Sequence, residues 1–213
     1  MSRNGQRGEP PSRRNTTGLV LAGGASRRMG RDKALLEVAG RTFLQCAAHA
    51  LSVTCHRVLI STGQQPGAYG FPEFPEILDP PSYAGPLAGM LAGFDCCRED
   101  WLLVVPCDLP LLTPEYGSRL QQSLAGGGVL AVAAAGGQTH FACLLAHVCL
   151  GASLQNYLDQ GARRVEPWVL QHHPTIVDFS DLPNLLLNVN TPDALERARQ
   201  LAEQPPGAAQ ERT

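Results

Sequence analysis

Apolar positions along the chain fall into short runs separated by helical patterns. The runs at 18–22 (GLVLA), 57–61 (RVLIS), 76–79 (EILD) and 101–106 (WLLVVP) predict strands, as do 129–135 (VLAVAAA), 141–146 (FACLLA) and 175–179 (TIVDF). Between them the spacing predicts helices near 41–54, 86–98, 114–124, 150–160 and 191–203. This alternation predicts an α/β fold, a mainly parallel sheet with helices on its faces. WLLVVP is apolar throughout, as a strand covered on both sides requires. Only GGQTH separates 129–135 from 141–146. That link suits a small antiparallel excursion better than a helical crossover.

In open α/β sheets ligands sit beyond the C-terminal ends of strands. The first strand runs straight into GGASRRMGRDK, where Arg27, Arg28, Arg31 and Lys33 fall within seven residues. A Walker A loop needs Gly-Lys-Ser/Thr, but Gly30 is followed by Arg31 and Asp32. A dinucleotide fingerprint needs G-x-G-x-x-G, and the adjacent Gly23 and Gly24 break that spacing. What remains is a glycine pair that lets backbone N–H groups approach an anion, with Arg28 and Lys33 to neutralise it. The plain alternative is a turn with a solvated basic face.

Composition narrows the classes. With 213 residues, 44% of them hydrophobic, the chain can bury one ordinary core. A net charge of −2 argues against a general nucleic-acid binder. Residues 1–16 carry four arginines against Glu9 and read as a disordered basic leader, and 203–213 as a flexible C-terminal tail. Seven cysteines without C-x-x-C spacing suggest neither a zinc ribbon nor a redox pair, and fit a reduced, cytoplasmic setting. No apolar run approaches the ~20 residues of a membrane span.

Three further stretches carry candidate chemistry. In LLVVPCDLPLLTPE, Asp108 follows a buried strand, a good place for a carboxylate that holds Mg²⁺. Its plain alternative is a turn residue; Thr113 reads as the N-cap of the next helix. In EILDPPSYAGPLAGMLAGF, Asp79 ends a short strand, and Gly85, Ala88, Gly89 and Gly93 permit close packing. Backbone at Gly85 could alternatively line a flat ligand. In LLLNVNTPDALERA, Asn188 and Asn190 share one face of an extended segment, and either Asn190 or Thr191 would cap the last helix.

Together these stretches are more specific than any one alone. LAGGASRRMGRDK fits the L-A-G-G-x-S-x-R-M-G-x-D-K pattern of the molybdenum cofactor guanylyltransferase family. SYAGPLAGM, VVPCDLP, GARRV and LLNVNTPDAL also resemble that family, in its order, over roughly residues 17–200. The resemblance implies a single Rossmann-like nucleotidyltransferase domain over 17–202. It also implies Mg²⁺-dependent transfer of GMP from GTP to molybdenum-bound molybdopterin, with pyrophosphate released.

By position, Leu21, Ala22, Gly23 and Gly24 would meet the nucleotide, as would Ser61, Asp79 and Gly85. Lys33 would meet the phosphates, Asp108 both GTP and the metal, and Asn188 and Asn190 the pterin side. Arg28, Lys33 and Asp108 would be catalytic, stabilising charge on the leaving pyrophosphate without a protein nucleophile. The family commonly has Asn where Ser61 stands, and proline where Phe141 follows His140. His140, His147, His172 and His173 need no catalytic role.

The implied partners are GTP, molybdenum-molybdopterin, an upstream molybdenum-insertion protein, and acceptor molybdoenzymes or their chaperones. Nucleic acid and membrane are not among them, and a monomer is expected. The competing readings are a CTP-dependent molybdopterin cytidylyltransferase, a sugar nucleotidyltransferase, or a non-catalytic nucleotide- or pterin-binding module. LAGG leans toward guanine, since the related cytidylyltransferases tend to have AAG there.

Overall fold

A computed structural model describes residues 9–23 and 32–203. Strand β1 (Thr16–Leu21) is followed by a two-residue-strand hairpin, β2 (Glu37–Val38) and β3 (Arg41–Thr42), and by α1 (Phe43–Thr54). Next come β4 (Arg57–Ser61), β5 (Glu76–Ile77), α2 (Pro86–Cys96), β6 (Trp101–Pro106) and α3 (Glu115–Ser123). The chain ends with β7 (Leu130–Ala135), β8 (Gln138–His147), α4 (Gly151–Asp159), α5 (Val165–Leu170), β9 (Thr175–Asp178) and α6 (Pro192–Ala202).

Seven strands form one sheet in the order β5-β4-β1-β6-β8-β7-β9. The β5–β4, β4–β1, β1–β6 and β7–β9 pairs are parallel, and β8 runs against both its neighbours. That single reversed strand is the antiparallel excursion. Its turn is tighter than GGQTH suggests, because Gly136 and Gly137 both take positive φ and close a two-residue hairpin. Gln138, Thr139 and His140 therefore belong to β8.

Alternation along the strands feeds two apolar layers. Leu103 and Val105 of β6 join Leu44 and Leu51 of α1 and Tyr116 of α3. Leu102 and Val104 point the other way, to Met90 of α2, Leu154 of α4 and Trp168 of α5. A third cluster of Val38, Phe43, Val189, Leu195 and Ala198 packs α6 beside the β2–β3 hairpin. Among the described residues no helix is long and apolar enough to cross a membrane.

Several boundaries differ from expectation. Residues 9–16, placed in the leader by composition, are packed: the Trp101 indole donates to the Glu9 carbonyl at 3.0 Å, and Ser12 and Asn15 cap a short turn at Arg13–Asn15. Thr16 is buried and starts β1. These contacts use backbone and small polar groups, which hydrophobic patterning does not register. Residues 1–8 and 204–213 lie outside the described residues. Helix α3 starts at Glu115 with Pro114 in the N-cap position and no side-chain cap, so Thr113 does not play that part. Helix α5 was hidden by Pro167, which a first-turn position tolerates.

Candidate active site

Strands β1, β4 and β6 end side by side, and a cleft of about 200 Å³ opens beyond them. Leu21, Ala22 and Gly23 line it from the end of β1, Ser61 from β4, and Asp108 from the turn after β6. Asp79, Gly85 and Lys33 line it as well. Asp79 lies two residues past β5 rather than ending it. Gly24 and Arg28 lie outside the described residues. Pattern reading missed Pro86, Pro106, Cys107 and Ala142, whose apolar surface also faces the cleft. Nothing in their residue types announces a ligand; only the fold brings them there.

The cleft depends on backbone approaching backbone. A Cβ on Gly23 would lie 2.2 Å from the Gly63 nitrogen, so only glycine fits. Gly89 has the same effect beneath the cleft, where a Cβ would meet the Ser61 Oγ at 2.5 Å and Leu21 Cδ2 at 2.8 Å. Helix α2 can thus lie against the ends of β1 and β4, as its small residues suggest.

Three polar centres result. Asp79 is 9% exposed and accepts a 2.6 Å hydrogen bond from the Ser61 hydroxyl. Burial pushes its carboxyl above the ordinary value, opposed by that hydroxyl. Ser61 therefore directs its hydroxyl at Asp79.

Lys33 is the second centre, 8% exposed in a short turn at Lys33–Leu35. Asp32 Oδ1 caps this turn by accepting from the Ala34 N–H at 3.0 Å. The Lys33 ammonium donates to Asn190 Oδ1 and lies 4.0 Å from Asp108 Oδ2.

Asp108 is the third. Its Oδ1 is buried without a partner among the described residues. Burial raises its pKa, and the nearby Lys33 ammonium opposes the rise. Its carbonyl accepts from the Val189 N–H at 3.0 Å, which ties the turn after β6 to the NVNTP segment. Val189 is fully buried in the third cluster, so its neighbours Asn188 and Asn190 both face outward. The Asn190 amide donates to Asn188 Oδ1. Thr191, not Asn190, caps α6, accepting from the Ala194 N–H at 3.2 Å.

The four histidines in question do not line the cleft. His147 packs edge-on against Trp101 and accepts from the Cys149 N–H, while His172 packs against Trp168.

Known proteins resemble this chain in sequence and in fold. Residues 18–175 match the family described as the MobA-like NTP transferase domain. The molybdenum cofactor guanylyltransferase of Shewanella loihica is 37% identical over 188 residues, covering 87% of this chain and 94% of its own. Molybdopterin-guanine dinucleotide biosynthesis protein A of Archaeoglobus fulgidus shares the fold with a TM-score of 0.73 at 19% identity, over 87% of this chain and 97% of that one. A Mycobacterium tuberculosis protein, solved in complex with manganese, has a TM-score of 0.60 at 16% identity, covering 87% and 98%. The family match over most of the chain and the identity to curated relatives lead to one assignment: this chain belongs to the MobA-like NTP transferase family, with the molybdenum cofactor guanylyltransferases.

Proposed function

We propose that the protein transfers GMP from GTP to molybdenum-bound molybdopterin, forming the molybdopterin guanine dinucleotide cofactor. The observation that carries this reading is the joining of Lys33, Asp108 and Asn190 in one network at the mouth of a strand-end cleft. A phosphate oxygen of the acceptor attacks the α-phosphorus of GTP. The bond to the β-phosphate bridging oxygen breaks, and its electron pair leaves with pyrophosphate. Such transfer depends on positioning and on stabilising charge, and needs no protein nucleophile.

In this reading Leu21, Ala22, Gly23, Ser61, Asp79 and Gly85 hold the nucleotide, with Gly24 beside them. Lys33 and Arg28 neutralise the outer phosphates, and Asn188 and Asn190 face the acceptor. A divalent cation, which we take to be Mg²⁺, belongs at Asp108. The fit is chemical: a buried, unpartnered carboxylate oxygen is a hard donor suited to that ion. No cluster of three or more His, Cys, Asp or Glu side chains could hold a metal among the described residues. Its other ligands would accordingly come from phosphates and water, as Mg²⁺ commonly takes them. When bound, such an ion supplies charge neutralisation on the phosphates.

All seven cysteines are free, which suits a reducing cytoplasm. We place the enzyme there as a monomer. Its acceptor would come from a molybdenum-insertion protein, and its product would pass to molybdoenzymes or their chaperones.

The test is a panel of GTP, CTP, ATP and UTP with molybdenum-molybdopterin as acceptor, scored by pyrophosphate release. Release with GTP above the other three supports the reading. Preference for CTP, or acceptor-independent release, contradicts it.

A further inference from the structure

Tyr69 lies in the loop between β4 and β5, outside every motif that singles out the cleft. Its hydroxyl reaches two acceptors, the Ala22 carbonyl at 3.1 Å and Asp32 Oδ2 at 3.0 Å. A phenol has one proton to give, so these two oxygens share it. Burial and the Asp32 carboxylate both push the Tyr69 phenol upward, which keeps it a donor. Asp32 uses its other oxygen to start the turn that carries Lys33. Ala22, which also lines the cleft, is itself fixed by its N–H on the Ser61 carbonyl at 2.9 Å.

The loop that presents Tyr69 is held by a single carboxylate. Glu76 accepts the consecutive N–H groups of Ala68, Tyr69 and Gly70 at 2.9, 3.0 and 2.9 Å. Two charged-acceptor bridges therefore run in series, from Glu76 to the Tyr69 backbone and from the Tyr69 hydroxyl to Asp32. Charge-assisted hydrogen bonds of this kind are stronger than neutral ones. A mere packing role would need only the aromatic ring, which already rests against the core.

We infer that Tyr69 is a positioning residue for Lys33, tying the turn that carries the lysine to the end of β1. The consequence for nucleotide binding rests on the proposed function; the placement of Lys33 does not. Lys33 is the chain's single lysine, so amine chemistry away from the N-terminus reports on it alone.

The experiment is competitive acylation of the whole protein with a water-soluble N-hydroxysuccinimide acetate, followed by mass spectrometry of the Lys33 peptide. In the native protein the amine should react slowly, being buried and engaged. Tyr69→Phe keeps the ring and removes the hydroxyl, and should acylate about 10-fold faster, the size of a lost hydrogen bond to a charged group. Asp32→Asn weakens the same bridge from its other end and should accelerate acylation in the same direction, with little further gain in the double variant. A rate in Tyr69→Phe equal to the native rate would overturn the inference, as would fully additive gains in the double variant.

GTP titration of the same proteins gives a separate answer. Tyr69→Phe should weaken GTP binding about 10-fold in the native background and hardly at all in Lys33→Ala. Equal losses in both backgrounds would show that Tyr69 does not act through Lys33. A native protein that binds no GTP would contradict the functional reading and leave the acylation result standing.

Discussion

The Lys33 ammonium is held by Asn190, a residue 157 positions away in sequence. This contact links the turn after β1 to the segment before α6, and Thr191 leaves Asn190 free for it by capping the helix itself. Two adjacent substitutions should consequently separate. Asn190→Ala should weaken GTP binding by about 10-fold through Lys33, raise the acceptor requirement, and leave the melting temperature nearly unchanged. Thr191→Ala should cost about 1 kcal/mol of stability and leave substrate binding alone. Calorimetric melting with GTP titration of both variants checks this; loss of stability in Asn190→Ala would reassign it as a helix support.

Asp108 combines a buried orphan oxygen with proximity to Lys33. Asp108→Asn should lower turnover by about 10²–10³ while the fold persists, since one charged contact to the reacting phosphates is removed. Chelation by EDTA should abolish activity of the native enzyme and be reversed by added Mg²⁺. Near-normal turnover of Asp108→Asn at saturating Mg²⁺ would remove Asp108 from the metal.

The sheet and most of the cleft were legible because their signals are local. WLLVVP announces a buried strand, and the acidic residue after it marks a strand-end site. Asn188 and Asn190 were legible as a pair, since alternation places them on one face. The Lys33–Asn190 contact was not, because it depends on Val189 entering a cluster built by α6 and the β2–β3 hairpin. Tyr69 was also hidden: its loop has no periodicity, and its partners Ala22, Asp32 and Glu76 come together only in the folded chain. The packed residues 9–16 escaped notice because Glu9 contributes only a carbonyl.

Asp79 offers a test through pH. Its folded pKa is raised above the ordinary 3.8 by burial, so the folded state binds the proton more tightly than the unfolded chain. The stability it contributes is present below 3.8 and is lost as pH rises through the raised folded value. Asp79→Asn should flatten the part of the melting-temperature profile that lies above pH 3.8 and be no less stable than the native protein at neutral pH. Ser61→Ala should move Asp79 further upward, because the hydroxyl that opposes burial is gone. An unchanged profile in Asp79→Asn would contradict the assignment.

Gly23 tests the steric basis of the cleft. A Cβ there would press on the Gly63 backbone, which has no flexible end to move aside. Gly23→Ala should cost about 1–3 kcal/mol and reduce GTP binding, as overpacked sites do. Chemical denaturation and calorimetry measure both; native stability with native binding would mean the two loops separate freely.

In the proposed reaction an intact GMP moiety reaches the pterin. Two GTP samples, one labelled at the α-phosphorus and one at the γ-phosphorus, are incubated with the full-length protein and molybdenum-molybdopterin, and the products separated. The expected outcome is α-label in the molybdopterin guanine dinucleotide and γ-label in pyrophosphate. Label appearing instead as α-labelled free GMP, or as γ-labelled inorganic phosphate, would contradict it.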